Sequence, residues 1–214
     1  MQPKISIFIP IKRDSQRVPG KNYRDFGGMP LWEHTIRKLS NFDVYVDTDD
    51  PALITELRKY PNVVAYLRAP ALLGHQVSVC NLIKHWVYRF EPDGFLFQVH
   101  VTSPFMKPET LQSALAQMSD QQDSVFSCSR YQSRFWYKSK SINHNPEVLI
   151  QTQDLDPLYE ENSLFYGFTT EIGTSGQRIG KNPLIYETDR LESIDIDTEE
   201  DWADCLKILK TVQE

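Results

Sequence analysis

The chain has 214 residues, of which 40% are hydrophobic and 24% charged, and its formal net charge is −6. That length suits one domain with a full core, and the composition excludes collagen-like and wholly disordered chains. The acidic balance argues against a nucleic-acid binder. No apolar run approaches the roughly 20 residues of a membrane span, and the early Lys12 and Arg13 do not fit a signal peptide.

The elements alternate along the chain. Lys4 to Pro10 is β-branched and apolar and predicts a buried strand. Residues 12–28 are basic, polar and punctuated by Gly and Pro, which predicts a long loop. Pro30 opens a helix to about Leu39, Asp43 to Asp47 is a second strand, Pro51 to Lys59 a short helix and Asn62 to Leu67 a third strand. Val77 to Phe90 has helical spacing, Phe95 to Val101 is a fourth strand, Pro108 to Met118 a helix and Ser124 to Ser127 a fifth strand. This order predicts an α/β fold, three-layer and Rossmann-like, with a mainly parallel sheet and a ligand crevice at the carboxyl ends of its strands. From Arg130 to Phe168 the alternation breaks into aromatic and β-branched residues with turn signals. We read an inserted β-rich arm over about 130–168 in a single domain, 1–214, whose aromatics meet a partner chain. Leu184 to Glu187 and Ser193 to Asp197 are further strands, and a helix runs from Glu199 to about Val212. Cys80, Cys128 and Cys205 form no CxxC pair, so reduced thiols and a cytoplasmic location are expected.

Two clusters of opposite charge carry the chemistry. Lys12, Arg13, Arg17, Lys21 and Arg24 face only Asp14 in the loop after the first strand. With Ser15, Gly20 and Asn22 they combine fixed cations with close backbone approach, as phosphate binding requires. Residues 189–204 hold eight carboxylates against Arg190. Thr198 and the acids after it read as a helix start. Asp195 and Asp197 alternate with Ile194 and Ile196, so a strand would set both carboxylates on one face, where Mg²⁺ shared with substrate phosphates offsets their repulsion. Asp47, Asp49 and Asp50 form a third acidic group, with Asp50 before Pro51 as a helix cap. Nucleotidyl transfer and glycosyl transfer from a nucleotide sugar both fit this combination.

KRDSQRVPGKN (12–22) resembles the first loop of the acylneuraminate cytidylyltransferases, the CMP-sialic acid synthetases, through Ser15, Arg17, Pro19, Lys21 and Asn22. GGMPL (27–31), VDTDD (46–50), LRAPALL (67–73), HVTSP (100–104) and ESIDIDTEEDW (192–202) resemble further family segments, in family order. The resemblance implies CMP transfer from CTP to an acidic 2-keto sugar, pyrophosphate release, Mg²⁺ and a homodimer. It implies Lys21, Arg17 and Lys12 on the triphosphate, and Ser15, Asn22, Arg68 and Asp49 on the nucleotide. It also implies His100, Thr102, Ser103, Asn162 and Tyr166 on the sugar, and Asp195 and Asp197 on the metal.

The sugar half departs from the family pattern. Lys12 replaces a usual Arg and His100 a usual Gln, and an Arg expected near Asn162 is missing; Glu161 and Ser163 also depart. A branch that takes another acidic sugar accounts for these changes. The alternatives are a metal-dependent glycosyltransferase using Asp47-Thr48-Asp49, a KDO cytidylyltransferase and a catalytically silent nucleotide-binding homologue. Among the other histidines, His34 and His85 read as packing or surface residues, and His75 and His144 as solvated.

Overall fold

The structure, a computed structural model, describes residues 4–74 and 76–213; His75 lies outside the described residues. Strands β1 (Ile5–Ile11), β2 (Asp43–Thr48), β3 (Val63–Leu67) and β4 (Phe95–Val99) alternate with helices α1 (Leu31–Lys38), α2 (Pro51–Leu57) and α3 (Val79–Phe90). Then come α4 (Pro108–Gln117), β5 (Ser124–Tyr131), a small hairpin of β6 (Trp136–Tyr137) and β7 (Lys140–Ser141), β8 (Leu158–Phe168), α5 (Thr170–Ser175), β9 (Pro183–Glu187) and α6 (Glu199–Gln213).

Seven strands form one sheet in the order β3-β2-β1-β4-β8-β5-β9. Only β8 runs antiparallel to its neighbours, so the sheet is mainly parallel, as expected. Alternation along β1 divides the core. Ile7 and Ile9 face Trp32 and Ile36 of α1 and Leu111 and Ala114 of α4. Phe8 faces the other way, stacking on Trp86 of α3 at 5.0 Å. Helices thus cover both faces of the sheet, completing three layers. A third cluster sets Trp202 and Cys205 of α6 against Val18, Phe26, Phe105 and Ile196, so α6 clamps the loops that follow β1 and β4.

Three readings need correction. Residues 193–197 are not a strand: Ser193 closes a turn on the Asp189 carbonyl at 3.0 Å, and the segment after it is docked by the Ile196 N–H on the Thr102 carbonyl at 2.9 Å rather than by a ladder. The arm does not reach 168, because β8 crosses into the main sheet and Leu164 to Phe168 are buried there between β4 and β5. Phe165, Tyr166 and Phe168 are therefore core and face no partner. The exposed aromatics of this region are Tyr131 at the end of β5, Trp136 and Tyr137 of the hairpin and Tyr159 of the outer half of β8.

Candidate active site

Strand order reverses at β1, with β2 and β3 on one side and β4 on the other. Such a switch point opens a crevice at the carboxyl ends of the strands. A cleft of about 370 Å³ lies there, lined by Lys12, Ser15, Arg17, Lys21, Asn22, His100 and Thr102 among others. Loop cations and the residues after β4 therefore share one cavity. A second cavity of about 350 Å³, lined by Lys4, Phe42, Asp43 and Leu115, lies beside the start of β1 and β2 and holds no such set of cations.

The loop after β1 is built rather than loose. Val18 and Phe26 are buried under α6. Gly20 takes a left-handed conformation (φ 62°) that starts a short 3-10 turn over Lys21–Tyr23, a conformation glycine adopts without strain. The Asn22 amide closes the loop by donating to the Lys12 carbonyl at 2.9 Å. From the other side, the Asp49 carboxylate accepts the Arg13 N–H at 2.7 Å, and Asp50 caps α2 through Ala52 N. Asp49 thus anchors the cationic loop.

The basic and acidic clusters meet across the chain. Lys21, only 8% exposed, donates to the Ile196 carbonyl and lies 3.5 Å from Asp197, which also takes Arg17 at 2.7 Å. Arg24 reaches Glu199 at 2.7 Å and covers the Trp202 ring. The Asp201 carboxylate accepts the N–H groups of Asp197 and Thr198, so the start of α6 holds the acidic segment in place. Burial raises the Asp195 carboxyl above its ordinary value; Asp197 adds to this and a hydrogen bond with Thr102 opposes it. Asp195 Oδ1 and Asn22 Oδ1 are buried with no hydrogen-bond partner among the described residues. A buried oxygen left so is costly unless a ligand completes it.

His100 follows β4 and is half-buried in the cleft wall. Burial, then the charges of Arg178 and Lys21, push its pKa down to about 4, so the ring is neutral at pH 7. Its Nε2 meets the Gln98 amide, whose oxygen accepts from Arg178 at 3.2 Å. Arg178 lies flat on Tyr166, 3.6 Å from the ring centroid, and Tyr166 donates its hydroxyl to Glu161.

Other expected residues sit outside the cleft. Arg68 forms a fully buried pair with Asp47. Ser103 is buried, with its carbonyl receiving Met106 N–H. Asn162 donates to Ser129 and Thr188 beside the register shift of β5, and Ser163 there is left-handed (φ 61°), a conformation that favours glycine. Sequence reasoning missed Gln98, Arg178 and Glu192. The buried Glu192 receives the Lys107 N–H at 3.0 Å and the Thr110 hydroxyl at 2.6 Å, tying the acidic segment to α4. Period two along β4 puts Gln98 and His100 on one face and was the available signal; Arg178 stands in a loop with no motif.

The chain is similar to known proteins along nearly its whole length. The cytidylyltransferase family model matches residues 6–207. A CMP-N,N'-diacetyllegionaminic acid synthase of Legionella pneumophila is 30% identical, with 99% of this chain and 98% of that protein aligned. A pseudaminic acid cytidylyltransferase of Campylobacter jejuni is 24% identical over 90% of each chain. Among solved structures, a CMP:2-keto-3-deoxy-manno-octonic acid synthetase complexed with CTP superposes with a TM-score of 0.70 at 14% identity, covering 97% of this chain and 99% of that one.

Proposed function

The chain belongs to the cytidylyltransferase family, and from that premise we propose that it joins CMP from CTP to an acidic nonulosonic sugar, a nine-carbon 2-keto acid, with release of pyrophosphate. The observation that carries this reading is one cleft lined both by the loop cations Lys12, Arg17 and Lys21 and by His100 and Thr102 from the segment after β4. The anomeric hydroxyl oxygen attacks the α-phosphorus and gives its proton to water, the bond from the α-phosphorus to the α–β bridging oxygen breaks, and pyrophosphate takes that oxygen away. This chemistry is mostly positioning and charge neutralisation. Lys21, held by the Ile196 carbonyl, receives charge on the α- or β-phosphate, and Arg17 and Lys12 hold the remaining phosphates. Asn22 offers its buried oxygen to a donor of the nucleotide.

Mg²⁺ fits the acidic segment. Asp195 keeps a buried carboxylate oxygen without a partner, and Asp197 adjoins the phosphate cations. Among the described residues no group of three or more His, Cys, Asp or Glu is placed to hold a metal. The protein would therefore supply two carboxylates, and water and phosphate oxygens the rest, as suits this ion. When bound, Mg²⁺ supplies Lewis-acid charge neutralisation on the phosphates.

We also propose a homodimer through the exposed part of the arm. Trp136 (56% exposed), Tyr137 (63%) and Leu149 (88%) crowd a short hairpin region with little core of its own. A monomer by light scattering at micromolar concentration overturns that assembly.

The test of the reaction is product analysis with CTP, Mg²⁺ and a panel of N,N'-diacetyllegionaminic, pseudaminic and N-acetylneuraminic acids. A CMP-sugar and stoichiometric pyrophosphate are expected with at least one acid. No product with any of them, or equal turnover with ATP, overturns the reading.

A further inference from the structure

Arg178 is the cation that the phosphate site does not absorb. It stands between α5 and β9, away from every segment that resembles the family pattern, yet it reaches the cleft wall through Gln98 and His100. Its partners come from three places in the chain. Gln98 of β4 and Tyr166 of β8 are paired in register, both are fully buried, and both point to the side where Arg178 lies. Glu161 comes from the outer half of β8, and Ser163 adds its hydroxyl to the Tyr166 hydroxyl at 3.1 Å.

The guanidinium is fixed in plane but not satisfied. Tyr166 supports its face at 3.6 Å. One N–H reaches Gln98 at 3.2 Å and another reaches Glu161 at 3.4 Å, a long contact for an arginine–carboxylate pair. A guanidinium has five N–H donors, so three remain for a ligand. Its side chain is 24% exposed, enough for one edge to be reached. A planar fork that is stacked, oriented and only loosely paired is preorganised for a carboxylate.

We propose that Arg178 receives the carboxylate of the sugar acid and is thereby a specificity-determining residue of this enzyme. This rests on the reaction proposed above. The phosphate end uses Lys12, Arg17 and Lys21, whereas Arg178 shares no hydrogen-bond partner with them among the described residues and is linked to His100 through Gln98. Gln98 and Tyr166 are positioning residues that hold the guanidinium plane. Glu161 is the resident carboxylate, and the substrate's carboxylate takes its place or shares the fork with it.

The test compares N,N'-diacetyllegionaminic acid with its carboxamide at saturating CTP and Mg²⁺. The carboxamide keeps the shape and removes the charge. Hydrogen bonds to a charged group are worth roughly 10- to 100-fold, so the wild type should prefer the acid by about that factor in kcat/KM. Arg178→Gln should lose most of that preference through the sugar KM, with the KM for CTP unchanged. Arg178→Lys, which keeps the charge without the fork, should fall between the two and serves if the first variant does not fold. Glu161→Gln should keep the preference. A merely structural arginine would lower turnover of both substrates alike and leave their ratio intact. An Arg178 variant that retains the wild-type ratio overturns this assignment alone. A wild type that turns over none of the sugar acids overturns the reaction and the assignment together.

Discussion

The cationic loop of the cleft and the Arg178 cluster, which reaches the cleft residue His100 through Gln98, neutralise their charges in different ways. In the first, Arg17 meets Asp197 at 2.7 Å, and the buried Lys21 is held by a backbone carbonyl. In the second, Arg178 touches Glu161 only at 3.4 Å and owes its orientation to an aromatic face and an amide. The first end is tightly prepaired, so a ligand there must bring charge enough to reorganise the pair. In the reaction proposed above, a triphosphate with a divalent ion would do this. The second cluster is weakly paired, so a single carboxylate would suffice. On that proposal, one enzyme would read two anions of different charge with sites of matching stiffness.

The largest expected effect breaks the tight end. Asp197→Asn removes one of the two carboxylates proposed for Mg²⁺, and the charge between Arg17 and Lys21, while changing little volume. Loss of several kcal/mol of charge stabilisation corresponds to about 10³-fold or more in kcat. Pyrophosphate release at saturating CTP measures it, and a wild-type rate would reduce Asp197 to a loop anchor. Lys21→Ala comes next. A preorganised donor at developing charge is typically worth about 10²–10³ in rate. A loss below tenfold at saturating CTP would move the phosphate role to Arg17 or Lys12.

How much of this was legible in the sequence follows the same division. The phosphate loop could be read because its cations lie within thirteen positions, 12–24, directly after a strand. Asp195 and Asp197 could be read as a pair, although their alternation suggested a strand where the chain is an irregular segment held by Thr102, Lys21 and Asp201. The far end could not be assembled. Its members come from β4, β8 and the loop before β9, and only the pairing of Gln98 with Tyr166 brings them together. That pairing depends on β8 entering the sheet antiparallel, and β8 was masked by an outer half, Leu158 to Glu161, that is polar and mostly exposed. The helix α5 escaped because its six residues hold one large apolar side chain, Ile172, among Thr, Glu, Gly and Ser and show no apolar period.

The smallest expected effect comes from a charge cluster that no ligand visits, and it separates pairing for stability from pairing for catalysis. The buried Glu33 of α1 receives Arg37 at 2.7 Å, Lys59 at 3.0 Å and the Tyr60 hydroxyl at 2.7 Å, which ties α1 to the end of α2. Burial alone would raise its carboxyl, but the hydrogen bonds from Tyr60, Arg37 and Lys59 outweigh it and hold the pKa at about 2. The folded value lies below the unfolded one, near 4.5. The stabilisation is therefore complete above about pH 4.5 and is lost as the pH falls toward 2. Arg37 and Lys59 are themselves half-exposed, so solvent screens the pairs and the variant's partners can rehydrate. Glu33→Gln should then cost only about 1–2 kcal/mol at pH 7. Urea melts across pH 2.5–7 would show a shallower acid slope than the wild type, with both KM values unchanged at pH 7. An altered sugar or CTP KM would mean that the cluster communicates with the cleft and is no longer a control for it.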